Sequence, residues 1–489
     1  MNRICSLRIA QSGMLGLLVG ALTLVAGCNS DKPSTATVGE RNNPTPLRVL
    51  VIDDPPLGEA IARQWKSRTE SEIEVQNATL ADIGQARRIP ADVVVFPTPQ
   101  LGLLAERGLI VPLPDDVLNR DPFSSRDWFS QIRLAESRWG HRTVAVPLGS
   151  PQLLLVYRPD EFERLQLTPP QTWEDYQAIA EKLQAAAGSE AEQTNAEKKG
   201  LAVLEPLAPG HASGLLLARA AAYVTHRDQV APLFHPDTME PLIQRAPFVR
   251  ALEELAAANR LAGGVAEARL TPAEVVDRIA AGDAIMGLGF PAAVAAGRPK
   301  ETDRESAELA FLPIPGSTNV YNFAVGEWEQ IGGEEEPFAT LAGLAGRQAA
   351  VSSSAHQPQA AVNFVGWLSS QENAGRVAPS SPTTAPFRKT QLPDTGRWLG
   401  LSTLAANSCA TALEQSLSQK RSVLFPRIPG QAEYMAALDE AVQATLAQEK
   451  TAEQALQDAA AKWQEVTERL GRDAQSLAYR RSLNVADWP

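Results

Sequence analysis

The chain has 489 residues, 44% hydrophobic and 21% charged, with a formal charge of −12. This is globular composition, and it exceeds the roughly 250–300 residues at which single cores stop growing, so at least two lobes are expected. The acidic balance argues against a nucleic-acid surface, which needs basic patches; Arg87-Arg88 and Arg480-Arg481, the only double arginines, read as solvated faces.

The N-terminus reads as a targeting segment. Arg3 and Arg8 precede an apolar stretch, residues 13–24, of secretory length and too short to span a bilayer. It ends in Leu24-Val25-Ala26-Gly27-Cys28, which looks like a bacterial lipobox. Residues 1–27 are then a lipoprotein signal peptide, and Cys28 carries the lipid. Several acyl chains on one residue exceed the weak anchoring of a single chain. The alternative is an ordinary signal peptide with an incidental cysteine. Cleavage removes Cys5 and lipid takes Cys28, leaving Cys409 alone and no intramolecular disulfide. In its Ala/Leu-rich context Cys409 reads as a small buried hydrophobe. Residues 28–46, rich in Ser, Thr, Asn and Pro, read as the lipidated cysteine and a flexible tether.

Folded structure is expected from residue 47. Leu47–Ile52 is an apolar strand ending at Asp53-Asp54-Pro55-Pro56, and Leu57, Ile61 and Trp65 then mark one helix face. Residues 72–76 are a second candidate strand. Residues 91–96 form a β-branched run suited to a strand buried on both faces, followed by a helix over 100–106 that closes at Gly108. This rhythm predicts an α/β sheet with parallel strands. Residues 143–176 hold two short apolar runs broken at Pro147 and Gly149, which predicts a crossing between sheets. A helix capped by Thr172 follows. Residues 184–200 read as a mobile surface insertion, 201–204 as a candidate strand, and 215–224 and 248–261 as helices. Thr271-Pro272-Ala273-Glu274 has the form of a capping box. Residues 284–289 and 311–316 read as strands, and 360–368 as a buried helix. Leu456, Ala459, Trp463, Val466 and Leu470 mark a helix face that packs on the rest of the fold.

No catalytic or metal motif emerges: no Gly-x-Ser-x-Gly, His-Glu-x-x-His, Cys-x-x-Cys or phosphate loop, and five histidines without ligand spacing. No acid–base pair or activated nucleophile can be assembled, so an enzyme is not expected, nor a cofactor or metal. Asp53 and Asp54 follow a strand's C-terminal end, where open α/β sheets place ligands. They read either as acceptors for sugar hydroxyls or a cation, or as turn and helix-capping residues.

Several segments resemble the family 1 extracellular solute-binding proteins, the maltose- and sugar-binding receptors of bacterial ABC importers. They are Pro147 with Tyr157 and Pro169-Pro170-Gln171-Thr172-Trp173-Glu174-Asp175; residues 91–113; Ala281-Gly282-Asp283-Ala284-Ile285-Met286; Phe311-Leu312-Pro313-Ile314-Pro315-Gly316; and the C-terminal paired helices after Pro429-Gly430. The resemblance implies two α/β lobes of the periplasmic-binding-protein fold. Each lobe is a mostly parallel sheet flanked by helices, and a multi-strand hinge near residues 147–150 and 313–316 joins them. One lobe would take residues 47–148 plus 284–315, the other 149–283 plus 316–489. It further implies a monomer that binds a small solute, first of all a carbohydrate, and passes it to ABC permease subunits. Cleft candidates at loops facing the hinge are Asp53, Asp54, Thr98, Gln100, Ser150, Gln152, Gly210, His211 and Phe290, with Trp328 and Trp398 as possible aromatic platforms. Each is read either as a ligand contact or as a scaffold residue. The alternative function is a sensor or structural surface lipoprotein that keeps the fold without transport.

Overall fold

A computed structural model describes residues 46–69, 72–84, 86–194, 201–263, 269–294, 307–333 and 335–488. The signal segment, Cys28 and most of the tether lie outside these, as does Glu334. β1 (Leu47–Ile52) is parallel to β2 (Ile73–Ala78) on one side and to β3 (Val93–Pro97) on the other. Two-residue strands β4 (Arg138–Trp139) and β5 (Arg142–Thr143) pair with each other. The chain then runs through β6 (Val146–Gly149) into β7 (Leu154–Tyr157), and later forms β8 (Leu201–Leu204), β9 (Ala284–Gly289) and β10 (Ala310–Pro313). A hairpin of β11 (Asn319–Asn322) and β12 (Glu327–Gln330) follows, then β13 (Thr340–Ala342), β14 (Arg347–Val351) and β15 (Ser422–Leu424).

The first sheet has the order β2-β1-β3-β14-β6 and the second β10-β7-β9-β8. The crossing predicted near Pro147 is present, since β6 belongs to the first sheet and β7 to the second. Two expectations change. β9 and β10 both pair with β7, so residues 284–315 complete the second sheet, not the first. The strand that returns to the first sheet is β14, seated between β3 and β6. Each sheet is mostly parallel in strand direction, as expected, with one strand reversed: β14 runs against both its neighbours, and β7 against both of its own. The pattern of a single strand does not encode its partner, so hydrophobic runs alone left this pairing open.

Alternation along the strands sorts the apolar side chains into two cores. Leu50, Ile52, Val94, Phe96 and Leu155 face one cluster; Val49, Val51, Val93, Val95, Leu154 and Val156 face the other. Each cluster therefore takes residues from both sheets. The helix Ala212–Val224 is buried at every position, which explains why small and aliphatic residues fill it apart from Arg219 and Tyr223. Helix Ala452–Leu470 buries Leu456, Ala459, Trp463 and Val466 against helix Gln431–Leu446, and the Trp463 indole donates to the Tyr434 carbonyl (2.6 Å). The helix begun at Trp173 continues to Thr194, so the first part of the expected 184–200 insertion is helical; 195–200 lie outside the described residues. Cys409 is buried, and burial pushes its thiol well up. Among the described residues no helix is long and apolar enough to cross a membrane.

The caps follow the sequence. Asp175 N–H donates to Thr172 Oγ1 (3.1 Å) and Thr172 N–H to the Asp175 carboxylate (3.1 Å). Thr271 and Glu274 cap helix Pro272–Ala280 reciprocally. Thr271→Ala removes one half of that box and is expected to cost about 1 kcal/mol, read as a lowered urea midpoint.

Candidate functional site

The residues around the first crossing form a buried polar cluster. The helical turn Ile132–Glu136 ends in Glu136, whose carboxylate accepts the Ser150 hydroxyl (2.8 and 3.0 Å) and the Gly343 N–H (3.1 Å). The Glu136 carbonyl accepts from the Gln348 side-chain amide (2.9 Å) and from Arg427 Nη1 (2.6 Å). Gln152 Nε2 donates to Ser150 Oγ (3.1 Å), and Thr98 N–H to the Gly346 carbonyl (3.1 Å). Gly346 has φ +117°, and a Cβ there would stand 2.3 Å from the Gly149 carbonyl and 3.2 Å from Thr98 Oγ1. The backbones of the two inter-sheet passages can approach this closely only because that position is glycine.

Burial drives the electrostatics here. It pushes the Glu136 carboxyl up to about 7, although the Ser150 hydroxyl, Arg427 and the Gly343 N–H all favour its charge. Burial likewise lowers Arg427 to about 10, with Glu136 opposing. Three oxygens in the cluster have no protein partner: Thr98 Oγ1, Gln152 Oε1 and Gln348 Oε1. A crevice of about 10 Å³ touches Gln152, Ile314 and Leu341, room for roughly one water. The cluster offers acceptors and hydroxyls.

Thr98, Ser150 and Gln152 are thus brought together, and the other candidates lie elsewhere. Asp54 is 3% exposed; it caps helix Pro55–Lys66 through Leu57 N–H (3.2 Å), pairs with Arg347 (2.9 Å) and accepts the Ser381 hydroxyl. Asp53 is exposed at φ +52° and accepts from Leu80 N–H (3.3 Å). Gln100 meets Gln431 (3.4 Å). The N–H groups of Gly210 and Ser213 both donate to Asp439 (3.1 Å each), so a carboxylate of the chain itself occupies that helix start. Burial lowers the pKa of the neighbouring His211, with Asp439 and Glu274 opposing. Phe290 is buried. Trp398 is no platform: it lies in helix Thr395–Leu399, buried, with its indole on Thr384 (3.3 Å). Trp328 keeps 38% exposure and meets Tyr321 and Tyr223 edge-on, at 5.3 and 5.7 Å.

Sequence reasoning missed Glu136, Gln348 and Arg427. Arg427 carried a signal, a lone arginine among Phe425, Pro426, Ile428 and Pro429. Glu136 carried none, because nothing local marks a carboxylate that is buried by strands formed later in the chain. No cluster of three or more metal-ligating side chains occurs among the described residues.

Two mixed sheets with helices, crossed by the chain at 150–153 and again between Pro313 and Arg347, define a two-lobed α/β protein of the periplasmic-binding type. The chain belongs to the bacterial extracellular solute-binding protein family, whose profile matches residues 59–375. It is similar in fold to an ABC transporter solute-binding protein from Agrobacterium radiobacter K84 in complex with ribitol (TM-score 0.58, 19% identity, 86% of this chain and 99% of that one). It is likewise similar to a cyclo/maltodextrin-binding protein complexed with maltotetraose (0.57, 18%, 88% and 99%) and to maltose-bound T. maritima MalE3 (0.59, 16%, 86% and 99%). No curated protein is matched.

Proposed function

We propose that the chain is a lipid-anchored receptor that captures an uncharged, hydroxyl-rich solute, a carbohydrate or polyol, between its lobes and delivers it to an ABC importer. The observation that carries this reading is the group of unpartnered oxygens on Thr98, Gln152 and Gln348 around Glu136. Buried polar atoms are normally paired, and a sugar hydroxyl, both donor and acceptor, suits such a set. The structural neighbours hold ribitol, maltotetraose and maltose, which agrees with that chemistry. The passages at 150–153 and between Pro313 and Arg347 serve as the hinge. A solute that adds contacts only in the closed form shifts the population toward it, and the permease subunits read that form. Cys28 supplies the anchor, and no cofactor enters this reading.

Two measurements test it. The purified chain is expected to gain thermal stability with at least one member of a sugar and polyol panel, by about 2.7 kcal/mol at a hundredfold excess over Kd. Gln152→Ala should reduce that gain. No shift with any sugar, polyol, amino acid or peptide would overturn the receptor reading. It would favour a sensor or structural lipoprotein, for which the internal commitments of Asp54, Gln100 and Gly210 speak. Cys28→Ala is expected to release the protein from membranes; unchanged retention would remove the anchor.

A further inference from the structure

A cavity of about 250 Å³ lies beside helix Arg472–Ser482, apart from the polar cluster. Its size is close to the lower end of the ~300–1,000 Å³ range of small-molecule pockets. None of the ligand candidates read from the sequence lines it. Its walls come from five separate stretches: 131–135, 224–232, Ala342, 422–424 and 479–484. We infer that this cavity is a second binding site, for an uncharged hydroxylated small molecule with one apolar face.

The charge argument comes from the lining. The chain is 21% charged, yet no lining residue is. An ion would lose its hydration there and meet no counter-charge, so the cavity selects against ions. The apolar face is met by Val224, Val423 and Leu424, and by two exposed side chains, Leu134 (47%) and Val230 (63%). Only eight large apolar side chains are exposed among the described residues, so finding two on one cavity marks a recognition surface.

The polar groups define what a ligand must carry. Tyr479 is 4% exposed, and its phenol oxygen accepts the Leu233 N–H (3.3 Å), which leaves its own O–H to donate. Burial pushes its pKa well up, so it remains a neutral donor. The Thr225 hydroxyl donates to the Ala221 carbonyl (2.9 Å) and that of Ser482 to the Tyr479 carbonyl (2.7 Å), so both oxygens keep acceptor capacity. One donor and two acceptors match hydroxyl groups, which do both. The walls are held in advance: Ser422 donates to Gln131 (3.1 Å), and Asn484 donates to the Leu134 carbonyl (3.2 Å). At the inner end, Ala135 and Ala342 directly precede Glu136 and Gly343, which are hydrogen-bonded to each other (3.1 Å).

The test is calorimetric titration of the full chain with methyl β-D-glucoside and ribitol, beside gluconate and glucosamine as charged counterparts. An uncharged probe is expected to bind with an affinity that Ser422→Leu weakens at least tenfold and Gln152→Ala leaves unchanged. Thr225→Val removes one hydroxyl at little change in shape, and it should weaken the same event should the leucine variant fail to fold. Binding abolished by Gln152→Ala but untouched by the cavity variants would leave the receptor reading standing and overturn the second site. Gluconate or glucosamine binding as tightly as the uncharged probes would overturn it too, as would no binding of either uncharged probe.

Discussion

Arg219→Met is expected to lower the unfolding free energy by about 3–5 kcal/mol at pH 8, the cost of leaving one partner of a buried ion pair alone. Arg219 lies in the wholly buried helix Ala212–Val224, ion-paired with Glu205; both side chains are 1% exposed. Its guanidinium also stands 4.1 Å over the Trp173 ring. Methionine preserves much of the volume, so the deficit reports the orphaned carboxylate more than a cavity. Burial already raises the Glu205 carboxyl above the ordinary range while Arg219 holds it down. Without Arg219 it rises further, and the deficit should shrink as pH falls and the acid is protonated. The double variant Arg219→Met/Glu205→Gln should recover most of the loss, because both charges are gone. Urea denaturation at pH 8 and pH 5 reads all three. A single variant within 1 kcal/mol of the parent at pH 8 would mean the pair is more hydrated than its burial states.

The second large effect is a pH slope set by Glu136. Its folded-state value, about 7, lies above the ordinary 4.5. Between these values the folded protein holds a proton that the unfolded chain has released, so stability falls as pH rises through the window and levels off above it. A shift of this size corresponds to about 3 kcal/mol. Glu136→Gln keeps an acceptor for the Gly343 N–H and a group for Ser150 but cannot ionise. The variant should therefore match the parent near pH 4.5 and exceed it by up to about 3 kcal/mol at pH 8. The difference between the two proteins isolates Glu136 from other titrating groups. Parallel pH profiles for parent and variant would show that Glu136 stays ionised in its buried setting.

Local chemistry was legible and long-range pairing was not. The Thr172 and Thr271 caps, the strand over 284–289 and the buried stripe of helix Ala452–Leu470 follow from period and capping alone, because each is decided within a few residues. The crossing at Pro147 was legible for the same reason. That β9 and β10 join β7 was not, since an apolar strand fits either sheet equally well. At the candidate site, Thr98, Ser150 and Gln152 could be placed because they flank strand ends. Glu136, which joins the two passages, could not: its partners Gly343, Gln348 and Arg427 come from far along the chain. Asp54 could be read as a ligand or a capping residue, and its pairing with Arg347 was one that no local pattern announced.

The seating of β14 bears on how the protein is made. The second sheet draws all its strands from Leu154 to Pro313, so it is complete in any nascent chain that has passed that point. The first sheet then still lacks its inner strand, and β3 and β6 each present a bare hydrogen-bonding edge until residues 347–351 arrive. Such edges, on strands as apolar as β3, invite pairing with other chains. Residues 347–351 are therefore the segment that closes the most exposed apolar edges of this fold.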